Sequence, residues 1–262
     1  MFVEGICFNG FEGREEALKS TSRFRNYNPM FYRTNLWIHT RRVSWIVREL
    51  APHVNRHYSP NFDLELAFTL SLVHDDAEII KGDTLLSEKL KMTDEELRDL
   101  SEVEEEAILV LKDRYPKEIN GFNYEELLYQ ALEKDTLEAQ IVSLCDKLDG
   151  FGESLHELFS GNEIFCHPVL EYIPILKEFP LKYPRLKGLF TSKHPLLSSP
   201  NDIDVVEVIR NSRVHQKIRF TGPSGDRHYD AWKDITLRYG DREDIELLVS
   251  PSEYFNSQGF TK

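Results

Sequence analysis

The chain has 262 residues, 40% of them hydrophobic and 29% charged, with a formal net charge of −13. That length suits one large domain, or a domain with an extension, and supplies enough apolar material for a sizeable core. So acidic a chain argues against coating DNA or RNA, and no stretch nears the roughly 18 consecutive apolar residues of a membrane span.

In chain order, Met1 to Gly13 lacks the basic start and apolar run of a signal peptide, so the cytoplasm is the expected location. From Asn35 to Leu50, the residues Leu36, Val43, Ile46, Val47 and Leu50 recur near a 3.6-residue period and predict a helix. His53 and His57 then have metal-like spacing, but Pro52 and Pro60 predict a solvated loop around them. Asp63 is placed to cap a second helix through Leu66, Ala67, Leu70 and Val73. Thr93 and Glu96 make a capping box that opens a long third helix, with Leu97, Leu100, Val103, Ala107, Ile108 and Leu111 as its apolar face and Pro116 as its limit. Tyr124 to Lys134 and Thr136 to Leu148 read as two more helices, the last closed by Gly150 and Gly152. Six prolines between residues 168 and 200 predict only short helices and turns there. Val205 to Ile209 and Tyr229 to Leu237 fit helix or strand, and Thr221 to Asp226 reads as a surface turn without P-loop spacing. The cysteines, Cys7, Cys145 and Cys166, suggest neither a disulfide framework nor a zinc knuckle.

Chemistry concentrates at His74-Asp75-Asp76-Ala77-Glu78-Ile79-Ile80-Lys81-Gly82-Asp83, directly after an apolar helical segment. An adjacent His-Asp pair can offer one metal an imidazole nitrogen and a carboxylate oxygen from a single helix end. His39 shares a helical stripe with Leu36 and Val43, and is expected to be buried. Asp146 is surrounded by Ile141, Val142, Leu144, Cys145 and Leu148, where an unpaired carboxylate would be costly. Taken singly, these are a core histidine, a surface pair and a helix–helix salt bridge. One divalent ion would explain all three. Glu78, one helical turn after His74, can face the same cavity as an acid or base. Charge is uneven as well. Asp94 to Glu106 holds eight acidic residues and one Arg, whereas Ala17 to Arg48 holds seven basic residues and no acid.

The order His39, His74-Asp75, Asp146 on a helical background resembles the HD-domain metal-dependent phosphohydrolases. The phrase HDDAEIIKGD is similar to the H-D-x-x-E-x-x-x-G-D segment of their bacterial 5′-deoxynucleotidase branch, as are Arg33-Thr34-Asn35 and an upstream Arg, here Arg25. Two positions depart from that branch: Ile38-His39-Thr40 stands where Glu-His-Ser is usual, and Phe24 and Asn26 flank Arg25 where a Trp is common. The resemblance covers about residues 20–160. It implies that His39, His74, Asp75 and Asp146 are metal ligands, that Glu78 positions or activates the attacking water, and that Arg25, Arg33 and Asp83 bind substrate.

The expectation is an all-α HD-domain helical bundle over residues 1–162 with a C-terminal, mostly helical extension over 163–262. It would use one divalent ion (Mn, Co, Zn, Fe, Ni or Mg) to remove phosphate from a nucleotide, foremost a deoxyribonucleoside 5′-monophosphate. The alternatives are a deoxynucleoside triphosphate or pyrophosphate hydrolase and a non-catalytic nucleotide-binding regulator. The expected partner is a small-molecule nucleotide, without membrane or bulk nucleic-acid binding, and the resemblance implies a homodimer.

Overall fold

The computed structural model describes residues 6–27, 29, 35–58, 60–159, 162–191 and 197. Their regular secondary structure is helical apart from one two-stranded hairpin and an isolated bridge between Ser22 and Asn35, so the expected all-α class holds. They fall into two compact units, the first drawn from Met1–Phe24 and Arg33–Asp149, the second from Arg25–Tyr32 and Gly150–Lys262. The candidate elements beyond residue 200, and the 221–226 turn, lie outside the described residues.

The first unit begins with α1 (Arg14–Ser20) and α2 (Leu36–Tyr58). Leu36, Val43, Val47, Leu50 and Val54 of α2 are wholly buried and form one stripe at helical spacing. That stripe overturns the loop expected after Leu50. The helix runs through Pro52, and His53 is buried within it. An interior proline costs about 3 kcal/mol through its lost hydrogen bond and ring clash. Here the stripe continues in register past Pro52, so packing offsets that cost.

Helix α3 (Leu64–Val73) starts as expected, with the Asp63 side chain accepting from the Leu66 N–H. Ala67 to Val73 are buried on every side, which makes α3 the central helix of the unit, packed most extensively against α2. Two short helices follow, α4 (Glu78–Lys81) and α5 (Leu86–Lys89). The capping box opens α6 (Asp94–Arg114), where Thr93 Oγ1 accepts from the Glu96 N–H and the Glu96 side chain accepts from the Thr93 N–H. Only its second half packs inward: Ala107, Ile108 and Leu111 are buried, whereas Leu97 and Val103 are 41% and 45% exposed.

A hairpin, β1 (Glu118–Ile119) and β2 (Phe122–Asn123), turns at Asn120-Gly121 with both φ angles positive, at 52° and 80°. Asn-Gly is the strongest short hairpin signal, and periodicity alone did not reveal it. Helix α7 (Tyr124–Glu133) packs on α6 and α3.

Helix α8 (Leu137–Phe159) does not stop at Gly150 and Gly152. Within the second unit, a Cβ on Gly150 would lie 2.2 Å from the Tyr172 hydroxyl oxygen, so this glycine admits a neighbouring ring rather than ending the helix. Helix α9 (Cys166–Lys182) likewise corrects the short-helix expectation, because it passes Pro174 and Pro180. Val169, Tyr172, Ile173, Leu176 and Phe179 are buried along one face, Pro174 lies off it, and Pro180 falls in the last turn. A short α10 (Lys187–Phe190) follows. No helix among the described residues is long and apolar enough to cross a membrane.

Candidate metal centre

Three elements of the first unit deliver the chemistry. Helix α2 carries His39, the turn after α3 carries His74 and Asp75, and α8 carries Asp146. One ligand atom each from His39, His74 and Asp146 lies within 4.8 Å of the other two. Asp75 adjoins them: its Oδ2 is 3.3 Å from His39 Nε2 and its Oδ1 is 3.3 Å from His74 Nε2. His39 Nε2 is also 3.2 Å from Asp146 Oδ1. The fold thus brings together all four residues proposed as ligands.

The donor atoms fit a metal ion. His39 Nε2 and His74 Nε2 are buried and make no hydrogen bond. Their opposite ring nitrogens are engaged, so each Nε2 points inward. His39 Nδ1 donates to Asp149 Oδ2 at 2.7 Å, and His74 Nδ1 donates to the Ser71 carbonyl at 2.8 Å. A carboxylate or carbonyl on the far nitrogen is how proteins fix the tautomer and aim of a metal-ligating histidine.

Behind His39, Arg42 grips Asp149 with two bonds, Nε to Oδ1 at 2.7 Å and Nη2 to Oδ2 at 2.8 Å. His39 and Arg42 are three apart on α2, and Asp146 and Asp149 are three apart on α8. Each helix therefore presents one residue to the centre and one to its support. Behind the His74 turn, fully buried Asp76 accepts from Arg14 Nε and Nη2, both at 2.6 Å, and from the Tyr124 hydroxyl at 2.8 Å. Arg14 Nη2 also donates to the Leu72 carbonyl at 2.6 Å, which ties the end of α3 to the same clamp. Burial and the Asp76 charge push the Tyr124 phenol far above its ordinary pKa, so it stays a donor.

Electrostatics mark the spot as a cation site. Burial and Arg23 favour neutral His39, but the carboxylates of Asp146, Asp149 and Asp75 outweigh them and raise its pKa to about 10. Burial opposes ionisation of Asp75, yet His74 and His39 hold its carboxyl below the usual range. Asp146 is held well below it, against burial, by Lys147, His39 and His74. Glu78 behaves oppositely. Burial, then the charges of Asp75 and Asp83, raise its carboxyl well above normal, and its buried Oε2 makes no hydrogen bond. A buried carboxyl with raised proton affinity beside a cation site suits acid–base work.

The substrate residues proposed from sequence stand as follows. Asp83 follows Gly82, whose φ of 82° ends α4, and its charge reaches Glu78. Arg25 is exposed and belongs to the second unit, and Arg33 lies outside the described residues. The structure adds Arg23, whose Nη1 is 3.6 Å from Asp75 Oδ2. It also adds Asp149, Arg42, Asp76 and Arg14. Asp149 carried a sequence signal, one turn beyond Asp146. Arg14 carried none, because the bond to Asp76 spans 62 residues.

The family model described as 5′-deoxynucleotidase YfbR-like matches residues 16–183. Two solved structures are similar to the chain. One is a conserved hypothetical protein from Pyrococcus furiosus, 27% identical, covering 56% of this chain and 80% of that one, with a TM-score of 0.45. The other is the PH0347 protein from Pyrococcus horikoshii OT3, 23% identical, covering 76% of this chain and 96% of that one, with a TM-score of 0.47. No curated protein matches the sequence. Because the match over residues 16–183 spans well over half of the chain, this protein belongs to the YfbR-like 5′-deoxynucleotidase family.

Proposed function

We infer that the protein is a metal-dependent phosphohydrolase that releases orthophosphate from a deoxyribonucleoside 5′-monophosphate. The observation that carries this reading is the pair of buried, bond-free Nε2 atoms of His39 and His74, facing Asp75 and Asp146. These four residues would hold the ion. When bound, a divalent ion supplies Lewis acidity and charge neutralisation for attack of water on a dianionic phosphoryl group.

The chain's own groups do the rest. Asp149 and Arg42 keep His39 oriented, and Arg14 and Tyr124 keep the His74-Asp75 turn in place. Glu78, buried against the centre, would take the proton that the attacking water loses and pass it to the departing 5′ oxygen. In this reading Arg25, Arg33 and Asp83 bind the nucleotide, and Arg23, beside Asp75, adds positive charge where phosphate oxygens gather.

The test incubates the full-length protein with Mn²⁺, Co²⁺ or Mg²⁺ and each deoxynucleoside mono-, di- and triphosphate, with product analysis. Orthophosphate from monophosphates is expected. Pyrophosphate or tripolyphosphate as the product would replace this reading with the triphosphate hydrolase alternative. Nucleotide binding without turnover under every metal would replace it with a regulator.

A further inference from the structure

We propose that His53 and His57 form a second metal site, at the opposite end of α2 from His39, that takes a late divalent transition ion such as Ni²⁺ from solvent.

In a loop, the spacing of these two histidines would mean little. Because α2 runs on through Pro52 to Tyr58, they stand one turn apart on a single helix face. Their ring centroids are 5.0 Å apart, with the planes at 71°. The two histidines of the metal centre, His39 and His74, have nearly the same relation, 5.3 Å and 57°. Two imidazoles that share one tetrahedral ion, with bonds of about 2.0–2.1 Å, bring their centroids about 5 Å apart. The second pair therefore already has the separation that a shared ion requires. His53 lies 14 residues after His39, about 21 Å along the helix at its ordinary rise, so the pair is no part of the first centre.

The surroundings favour a cation that arrives from outside. His53 is buried beside Val54 and Leu50, which gives its ring a fixed place, whereas His57 is exposed and opens the pair to solvent. Both lie in the last turns of a 23-residue helix, where the terminal carbonyls form the negative end of the helix dipole. Glu49, exposed one turn before His53, adds charge of the same sign and offsets the exposed Arg56.

The donor set also selects the ion. Among the described residues, no third His, Cys, Asp or Glu atom gathers with this pair, so water completes the coordination. Imidazole suits Ni²⁺, Cu²⁺ and Zn²⁺, while Mn²⁺ and Mg²⁺ prefer carboxylate and water oxygens. An imidazole pair without a carboxylate thus takes the late ions and passes over Mn²⁺. The inference stands apart from the phosphohydrolase reading, since it needs neither nucleotide nor turnover.

Equilibrium dialysis of the full-length protein against Ni²⁺, and separately against Mn²⁺, tests the site, with bound metal counted by mass spectrometry. His57→Ala, at an exposed position, should weaken one class of bound Ni²⁺ by about 10²-fold, the gain that a second tethered donor supplies, and leave Mn²⁺ binding unchanged. His167→Ala, which removes an exposed histidine of α9, should bind both ions as the parent does. Parent-like Ni²⁺ binding in His57→Ala overturns the proposal, as does an equal loss of Ni²⁺ in His167→Ala or a matching loss of Mn²⁺ in His57→Ala. Because Mn²⁺ reports the His39 centre, failure of the parent to bind Mn²⁺ would count against the functional reading alone.

Discussion

Each histidine of the centre is held by Nδ1 and offers Nε2, and the two are held differently. His74 leans on a backbone carbonyl of its own helix, whereas His39 depends on a carboxylate from another helix, which depends in turn on Arg42. Asp149→Asn keeps the size of the side chain but removes its charge. It should weaken Mn²⁺ binding about 10–100-fold, the usual effect of losing a supporting group behind a ligand, as read by competition with a fluorescent chelator. Glu78→Gln should behave in the opposite way. Metal content should stay at the parent level, while kcat falls by about 10²–10⁴, the contribution of a positioned acid or base. Equal metal loss in both variants would erase the distinction between support and chemistry drawn here. The ligands themselves were legible in the sequence because their types and spacing are local. Asp76–Arg14 was not, since nothing near either residue announces a partner so distant along the chain.

At the level of elements, caps and turns followed local rules and interruptions did not. Asp63 and Thr93-Glu96 begin their helices where their side chains predict. Pro52 and Pro174 do not end theirs, because the buried stripes of α2 and α9 continue past them and outweigh a lost hydrogen bond. Gly150 is read differently once Tyr172 is seen against it, as a contact requirement rather than a helix stop. Gly150→Ala, although a better helix former, should therefore destabilise the protein by about 1–3 kcal/mol in denaturant unfolding, the cost of overpacking. Gly152→Ala, with open space around it, should not. Equal effects at the two glycines would show that helix propensity rather than the Tyr172 contact governs this stretch.

For the whole molecule, the sequence identified the all-α class, the family and the four residues that the fold brings together, because each leaves a short-range trace. It left unread the supports behind these residues, because they arise from side chains that only the fold assembles. The net charge of −13 hides this arrangement. Acid crowds the exposed first half of α6, while Arg23 stands beside Asp75 and Lys147 bonds Asp146 at the centre. The central claim is that His39, His74, Asp75 and Asp146 form one metal centre. It is tested most directly by the metal content of the full-length protein and its single variants after loading with Mn²⁺ and exhaustive dialysis, measured by mass spectrometry. One ion per chain is expected in the parent, with loss of that ion in His74→Ala and Asp75→Ala. Unchanged metal content in either variant would contradict it.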